Sequence, residues 1–208
     1  MLYLIKTPWW LKKLWTGCIW NIKTDKKILY LTFDDGPHPL ATPFVLEQLK
    51  KYNAKATFFC IGKNVKEHFH LYKNVIDDGH KPGNHTYDHL NGWKEKDKFY
   101  LDNIFKAKQI IDSNLFRPPY GRITRFQLNQ LSAAKYKLIT IMWDVLSGDF
   151  DKNVSPENCF LNVVRNANPG SIVLFHDSEK SFSKLSYALP KVLDYFSKRG
   201  YEFAAIEI

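Results

Sequence analysis

The chain has 208 residues, 45% of them hydrophobic and 15% aromatic, which supports a sizeable core and excludes a disordered polymer. Its formal net charge of +9 is spread along the sequence and forms no single basic block, so it reads as a lysine-rich solvated surface, and nucleic acid is not an expected partner. Cys18, Cys60 and Cys159 are isolated and lack metal-type spacing, which argues against a disulfide framework and favours a reducing compartment.

Residues 1–27 read as an aromatic and basic N-terminal segment. Lys6, Lys12 and Lys13 interrupt every apolar run before it reaches the length of an export signal or a membrane span. The stretch "LWTGC" resembles a lipoprotein cleavage site, but the two lysines sit where its apolar core belongs. Pro8 can start a helix whose stripe would be Trp9, Trp10, Leu14, Trp15 and Ile19. The favoured expectation is that this stripe packs on the body of the protein; the alternative is peripheral membrane contact through residues 8–20. A cytoplasmic or membrane-peripheral location follows.

From residue 28 onward, strands and helices alternate. "KILYLTF" reads as a buried strand ended by Asp-Gly-Pro, and "ATPFVLEQLKKYN" as a helix. "AKATFFCIG" is a strand, and "KNVKEHFHLYKNVIDDG" one helix ended by Gly79. A short strand at 81–84, a helix over 96–112, a strand ending in "FRPPYG" and a helix over 124–134 follow. Then come the strand "YKLITIMWD", a helix over 156–166, the strand "SIVLFHD", a helix over 182–199 and a last strand, "YEFAAIEI". About seven β/α alternations predict a parallel sheet in an α/β fold, most simply a single-domain barrel over 28–208, with an open doubly wound sheet as the alternative. No phosphate-binding glycine motif supports a nucleotide-binding version of the open sheet.

Ionisable residues gather just after these strands: Asp34 and Asp35, His85, Arg117, Asp144 and Asp149, His176 and Asp177. In parallel barrels the C-terminal strand ends form one face, so these residues are expected to meet at one mouth. His85 and His89 are four apart, a spacing that can put two imidazoles on one side of a helical turn. Two histidines and a carboxylate make an open divalent-metal site; zinc suits it best, and iron, cobalt or nickel also fit. A cation would also relieve the repulsion within Asp34-Asp35, one of which can ligate the ion while the other takes a proton from an attacking water.

"TFDDGP", "HTYDH", "RPPYG" and "LFHDS", in this order and spacing, resemble the motifs of the polysaccharide deacetylases, the NodB-homology domain of carbohydrate esterase family four. The resemblance runs from about residue 28 to 208. It implies a distorted (β/α)7 TIM-like barrel and a metal-dependent hydrolase that removes acetyl groups from N-acetylglucosamine polymers, oligomers or peptidoglycan-type substrates. O-acetyl esterase activity of the xylan type, or a non-catalytic sugar-binding protein of the same fold, are the alternatives. By matching position it implies Asp34 as catalytic base, and Asp35, His85 and His89 as ligands of a divalent metal. Arg117 would orient the base and keep it ionised, the Tyr120 backbone N–H would bind the oxyanion, and His176 would protonate the leaving amine. Trp143 and Leu174 would line the acetyl pocket. The pattern departs from many relatives at "MWDVLSGDF": Leu146 stands where an aspartate often helps tune the acid histidine, and Phe150 where tryptophan is frequent. Asp144 or Asp149 is then the expected substitute.

Overall fold

The computed structural model describes residues 3–133 and 136–208. In chain order it contains α1 (Trp9–Leu14), β1 (Cys18–Ile19), β2 (Ile28–Asp34), α2 (Ala41–Lys51), β3 (Thr57–Cys60), α3 (Gly62–Glu67), α4 (Phe69–Asp77) and β4 (Lys81–Asn84). There follow α5 (Asp97–Lys108), β5 (Leu115–Phe116), α6 (Arg125–Ser132), β6 (Ile139–Ile141), β7 (Val145–Leu146), α7 (Pro156–Asn166), β8 (Ile172–His176), α8 (Phe182–Ser197) and β9 (Glu202–Phe203). Among the described residues the strands form one sheet in the order β1-β6-β5-β4-β3-β2-β8-β7, with β9 on β2. Every named pairing is parallel, as β/α alternation requires. The sheet curls into a distorted, incompletely closed α/β barrel.

Period-two alternation sorts side chains to the two faces of each strand. Leu29, Leu31, Phe33, Phe58, Cys60, Val173 and Phe175 point outward into a layer shared with α2, α7 and α8. Tyr30, Phe59, Leu115, Ile141 and Ile172 point inward and fill the barrel. Each of these buried side chains contributes roughly 1.5–3 kcal/mol through loss of apolar contact with water. The same alternation carries Thr32 and Asp34, Leu115 and Arg117, Ile141 and Trp143, and Leu174 and His176 inward.

The N-terminal segment covers both free edges of the sheet. Thr7 donates its N–H to Asp144 O, Leu146 donates to Ile5 O, and Lys6 bridges Val145 antiparallel, so residues 5–7 lie along β7. Cys18 and Ile19 pair with β6 at the other edge. Unpaired strand edges are thereby hidden.

Four expectations are corrected. The stripe of α1 does not pack as one face: Trp9 is 70% exposed, Trp10 and Leu14 are also exposed, and Ile19 belongs to β1. Only Leu11 and Trp15, one turn apart, face the body. The long helix over 63–79 is broken at His68, whose φ of −120° and ψ of 48° are not helical. An unbroken helix would carry His68 and Phe69 round to the face of Val65. The break instead buries Leu71, Tyr72 and Val75 and leaves Phe69 outside. The strand "YKLITIMWD" shrinks to Ile139–Ile141, and β7 is a separate short strand. The helix expected over 124–134 ends at Ser132, and Ala134 lies outside the described residues. No helix among the described residues is long and apolar enough to cross a membrane.

Candidate active site

The mouth is built where inward-facing positions reach the strand ends. β2 ends on Asp34, which is buried. The next residue, Asp35, adopts a φ of 81° and turns its carboxylate toward the same opening. The two adjacent acids therefore have different surroundings. Asp34 Oδ1 accepts a 2.7 Å ion pair from Arg117 Nη1, while Asp35 Oδ1 faces two imidazoles.

Arg117 is fully buried and satisfied on all sides. Besides Asp34, it donates to Thr32 Oγ1 at 2.8 Å, Ile141 O at 3.2 Å and Met142 O at 2.9 Å, and its guanidinium stacks on Phe59 at 4.1 Å. A buried cation of this kind is tolerable only with such complete pairing. Phe59 gets its place because Gly83 faces it: a Cβ there would lie 2.5 Å from the ring.

His85 follows β4 and is buried. Its Nδ1 lies 2.8 Å from Arg117 O, a group that can only accept, so Nδ1 carries the proton and Nε2 presents a lone pair to the mouth. Burial lowers its pKa to about 4 despite the Asp34 charge, which favours the neutral, ligating form. His89 Nε2 lies 3.2 Å from Asp35 Oδ1, and His85 Nε2 lies 3.7 Å from the same atom. The pair does not sit on a helical turn, contrary to the sequence expectation. Residues 85–91 form an irregular loop in which Thr86 and His89 have φ of 63° and 58°. Asn103 of α5 holds this loop, accepting from the N–H groups of Tyr87 and Asp88 and donating to Asp88. Tyr120 follows the rigid Pro118-Pro119 pair with a φ of 59°, and its exposed ring packs 4.7 Å from that of His89.

One ligating atom from each of Asp35, His85 and His89 lies within 4.8 Å of the others, the one such group found among the described residues. Asp35 Oδ1 is buried and has no hydrogen-bond donor. Two ring nitrogens and a buried carboxylate oxygen converging in this way fit a divalent cation. Burial would raise the Asp35 carboxyl, but the rings of His89, His176 and His85 outweigh it and hold the group below the ordinary carboxylate range.

His176 ends β8, with its Cα opposite Asp34 in the ladder. Asp149 grips it twice: Oδ2 accepts the His176 backbone N–H at 2.7 Å, and Oδ1 accepts from Nδ1 at 2.8 Å. Burial alone would lower the imidazolium pKa, but Asp149, reinforced by Asp35 and Asp34, raises it to about 10. Phe150 packs against the ring edge-on.

Asp144 is elsewhere, which corrects its inclusion at the mouth and as a tuning candidate. The ladder sets Val145 opposite Val173, so Asp144 lies level with Ile172, four residues or about 13 Å before His176. Its carboxylate accepts from Lys6 and Lys12, both at 2.6 Å, and from Ser171, fastening the N-terminal segment. Burial opposes its ionisation, and the two lysines and Ser171 overcome this and lower its pKa. Asp177 also points away from the mouth. It accepts from Gly36 N–H and Thr42 Oγ1, pinning the turn that follows Asp35, and burial pushes its pKa up to about 8. Leu146 and Leu174 pair side by side and are buried, so position 146 adds an apolar wall beside Leu174. Trp143 abuts Gly121, where a Cβ would lie 2.7 Å from the indole; only glycine lets the Tyr120 turn approach this closely. Asn103 was not legible as a site residue, and the tasks of Thr32 and Asp177, which lie within "TFDDGP" and "LFHDS", were not legible either, because each acts through a hydrogen bond to a neighbour.

The polysaccharide deacetylase family profile matches residues 21–139. A peptidoglycan-N-acetylglucosamine deacetylase of Bacillus cereus is 36% identical over 197 residues, 92% of each chain. Among solved structures, a peptidoglycan N-acetylglucosamine deacetylase in complex with a naphthyl N-oxidanyl-benzamide superposes with a TM-score of 0.86 at 32% identity, covering 96% of this chain and 95% of the other. A mutant of a carbohydrate esterase family 4 pseudoenzyme with restored enzymatic activity superposes with a TM-score of 0.80 at 30% identity, covering 91% and 69%.

Proposed function

This chain belongs to the polysaccharide deacetylase family, its relatives of about a third identity are named as deacetylases of N-acetylated sugars, and on that premise we propose that it deacetylates the N-acetylated sugars of a peptidoglycan-type glycan. One observation carries the reading. The orphaned Asp35 Oδ1 and two imidazole lone pairs converge between a carboxylate paired with Arg117 and an imidazole gripped by Asp149.

Asp35, His85 and His89 would hold a divalent cation, with zinc the best match to an N/N/O set. Such an ion supplies Lewis acidity, polarising a carbonyl and easing deprotonation of water. Asp34, free of metal contacts in this reading, takes the proton from the attacking water through Oδ2, while Arg117 fixes Oδ1. The Tyr120 backbone N–H meets the developing oxyanion, a charge that the transition state needs stabilised. His176 enters protonated and gives its Nε2 proton to the departing amine, because Asp149 already occupies Nδ1. Trp143 and Leu174 enclose the acetyl methyl group.

The assay that tests this measures acetate release from peptidoglycan, N-acetylglucosamine oligomers and acetylxylan in the presence of zinc. The expected order puts the N-acetylated glycans first. Faster release from acetylxylan would favour the O-acetyl esterase reading, which the same residues could serve.

Peripheral membrane contact through residues 8–20 is supported by α1, which presents Trp9, Trp10 and Leu14 to solvent with Lys13 5.0 Å from the Trp9 ring. Exposed indoles beside a lysine suit the headgroup region of an anionic bilayer.

A further inference from the structure

The N-terminal segment does more than cover a sheet edge, because its run along β7 ends at the mouth. Thr7 donates its N–H to Asp144 O, Lys6 bridges Val145 antiparallel, and Leu146 donates to Ile5 O. Continued by two residues, this register sets Tyr3 level with Gly148, and a Cβ on that glycine would lie 3.5 Å from the Tyr3 hydroxyl. Gly148 opens the turn that follows β7. The same turn carries Asp149 and Phe150, both of which touch His176.

Tyr3 grips this turn in two ways. Its hydroxyl donates to Asp151 Oδ2 at 2.9 Å, and its ring lies 5.2 Å from that of Phe150, tilted by 57°. Phe150 in turn lies 5.4 Å from the His176 ring, so three rings form a chain from the N-terminal segment to the imidazole. Burial and the Asp151 carboxylate push the Tyr3 phenol up to about 12, which keeps it a donor at neutral pH. Asp151 braces the turn from within: its Oδ1 accepts from Asn153 N–H at 2.9 Å, and its own N–H donates to Gly148 O at 3.1 Å. On the other flank, Asn162 of α7 donates to Ser147 O at 2.9 Å. Asp149 therefore sits between two anchors, Asn162 before it and Tyr3 after it. A catalytic geometry is only as precise as the groups that support it, and Tyr3 supplies one such support from nearly 150 positions away in the chain.

We propose that Tyr3 is a positioning residue for the reaction: it fixes the turn 148–151, so that Asp149 and Phe150 hold the His176 ring with Nε2 aimed at the leaving group. This rests on the reading of His176 as the acid and goes further, because it places the N-terminal segment in control of that acid. A loosened His176 ring would matter when the proton moves and not when the glycan binds. The effect therefore belongs in kcat and leaves KM nearly alone.

The test compares wild type, Tyr3→Ala, Tyr3→Phe and Leu4→Ala, the last altering an exposed neighbour on the same segment. Acetate release from an N-acetylglucosamine oligomer gives kcat and KM. For Tyr3→Ala, kcat is expected to fall about tenfold with KM within about twofold of wild type, the scale of a small misplacement of a reacting group. Tyr3→Phe keeps the ring and should recover part of the loss, and Leu4→Ala should match wild type. Proton NMR of the zinc-loaded protein reads the imidazole without turnover. The His176 Nδ1 proton, bonded to Asp149, should give a downfield resonance that Asp149→Asn removes and so assigns. In Tyr3→Ala this resonance should broaden or vanish as the pair opens to water. An unchanged resonance, an unchanged kcat, or equal losses in Leu4→Ala would each overturn the proposal. If wild type releases no acetate from any glycan, the reading of the mouth fails; the resonance alone then decides whether Tyr3 holds the His176–Asp149 pair.

Discussion

Asp149 holds His176 by two hydrogen bonds at once, one to the backbone N–H and one to Nδ1. This pair sets both the direction and the protonation of the imidazole. It leads to a pH prediction whose sign can be worked out. An acid must be protonated to act, so activity falls as pH rises through its pKa, which for His176 is raised to about 10. Asp149→Asn removes the leading cause of that rise. The alkaline limb of kcat should move down toward the ordinary histidine range near ~6.5, with kcat at pH 9 falling roughly 100-fold. A limb that stays in place would separate Asp149 from the acid's protonation.

Metal affinity should depend on three side chains and not on their neighbours. Asp35→Asn, His85→Ala and His89→Ala are each expected to lower the zinc that co-purifies or rebinds, measured by elemental mass spectrometry after dialysis. Asp34→Asn should retain zinc while losing turnover. Zinc should also raise the melting temperature of wild type, since a ligand bound only by the folded state stabilises it. Full zinc occupancy in Asp35→Asn would remove that residue from the ligand set.

Arg117 joins β5 to β2 and β6 through its guanidinium. Arg117→Met leaves Asp34 buried beside an apolar chain and is expected to cost about 3–5 kcal/mol in urea unfolding, as breaking a buried pair does. Activity should fall as well, because Asp34 loses its fixed orientation. A loss of stability below ~1 kcal/mol would mean that the ion pair is not important to the barrel.

Much of the mouth was legible because strand ends and ionisable residues coincide in the sequence. Asp34, Arg117 and His176 each close or follow an apolar strand, His85 follows the short strand "KPGN", and all four face inward by simple alternation. The partner of His176 was not separable from Asp144, because β7 is only two residues long and merged with β6 in the hydrophobic pattern. Asp144 looks equally suitable in the sequence, but Lys6 and Lys12, more than 130 positions earlier, hold it about 13 Å short of His176 along the strand direction. The shape of the His85–His89 loop is not readable from the i, i+4 spacing, which carries no information on the positive φ values of Thr86 and His89. The destination of the α1 aromatics was hidden for a similar reason: so short a helix turns few positions toward the body, and α1 fully buries none of its residues.

The exposed pair Trp9 and Trp10 gives a surface prediction. Trp9→Ser/Trp10→Ser should reduce co-sedimentation with vesicles containing anionic lipid and leave acetate release from soluble oligomers unchanged. Equal sedimentation of wild type and variant would exclude α1 as a membrane contact.

The central claim is that Asp34 acts beside a cation held by Asp35, His85 and His89. It is tested most directly by acetate release from an N-acetylated glycan as zinc is removed and restored, for wild type and Asp34→Asn. The expected result is activity that vanishes with chelator, returns with zinc, and is absent from the variant despite full zinc loading. Acetate release that persists in chelator, or in zinc-loaded Asp34→Asn at the wild-type rate, would contradict it.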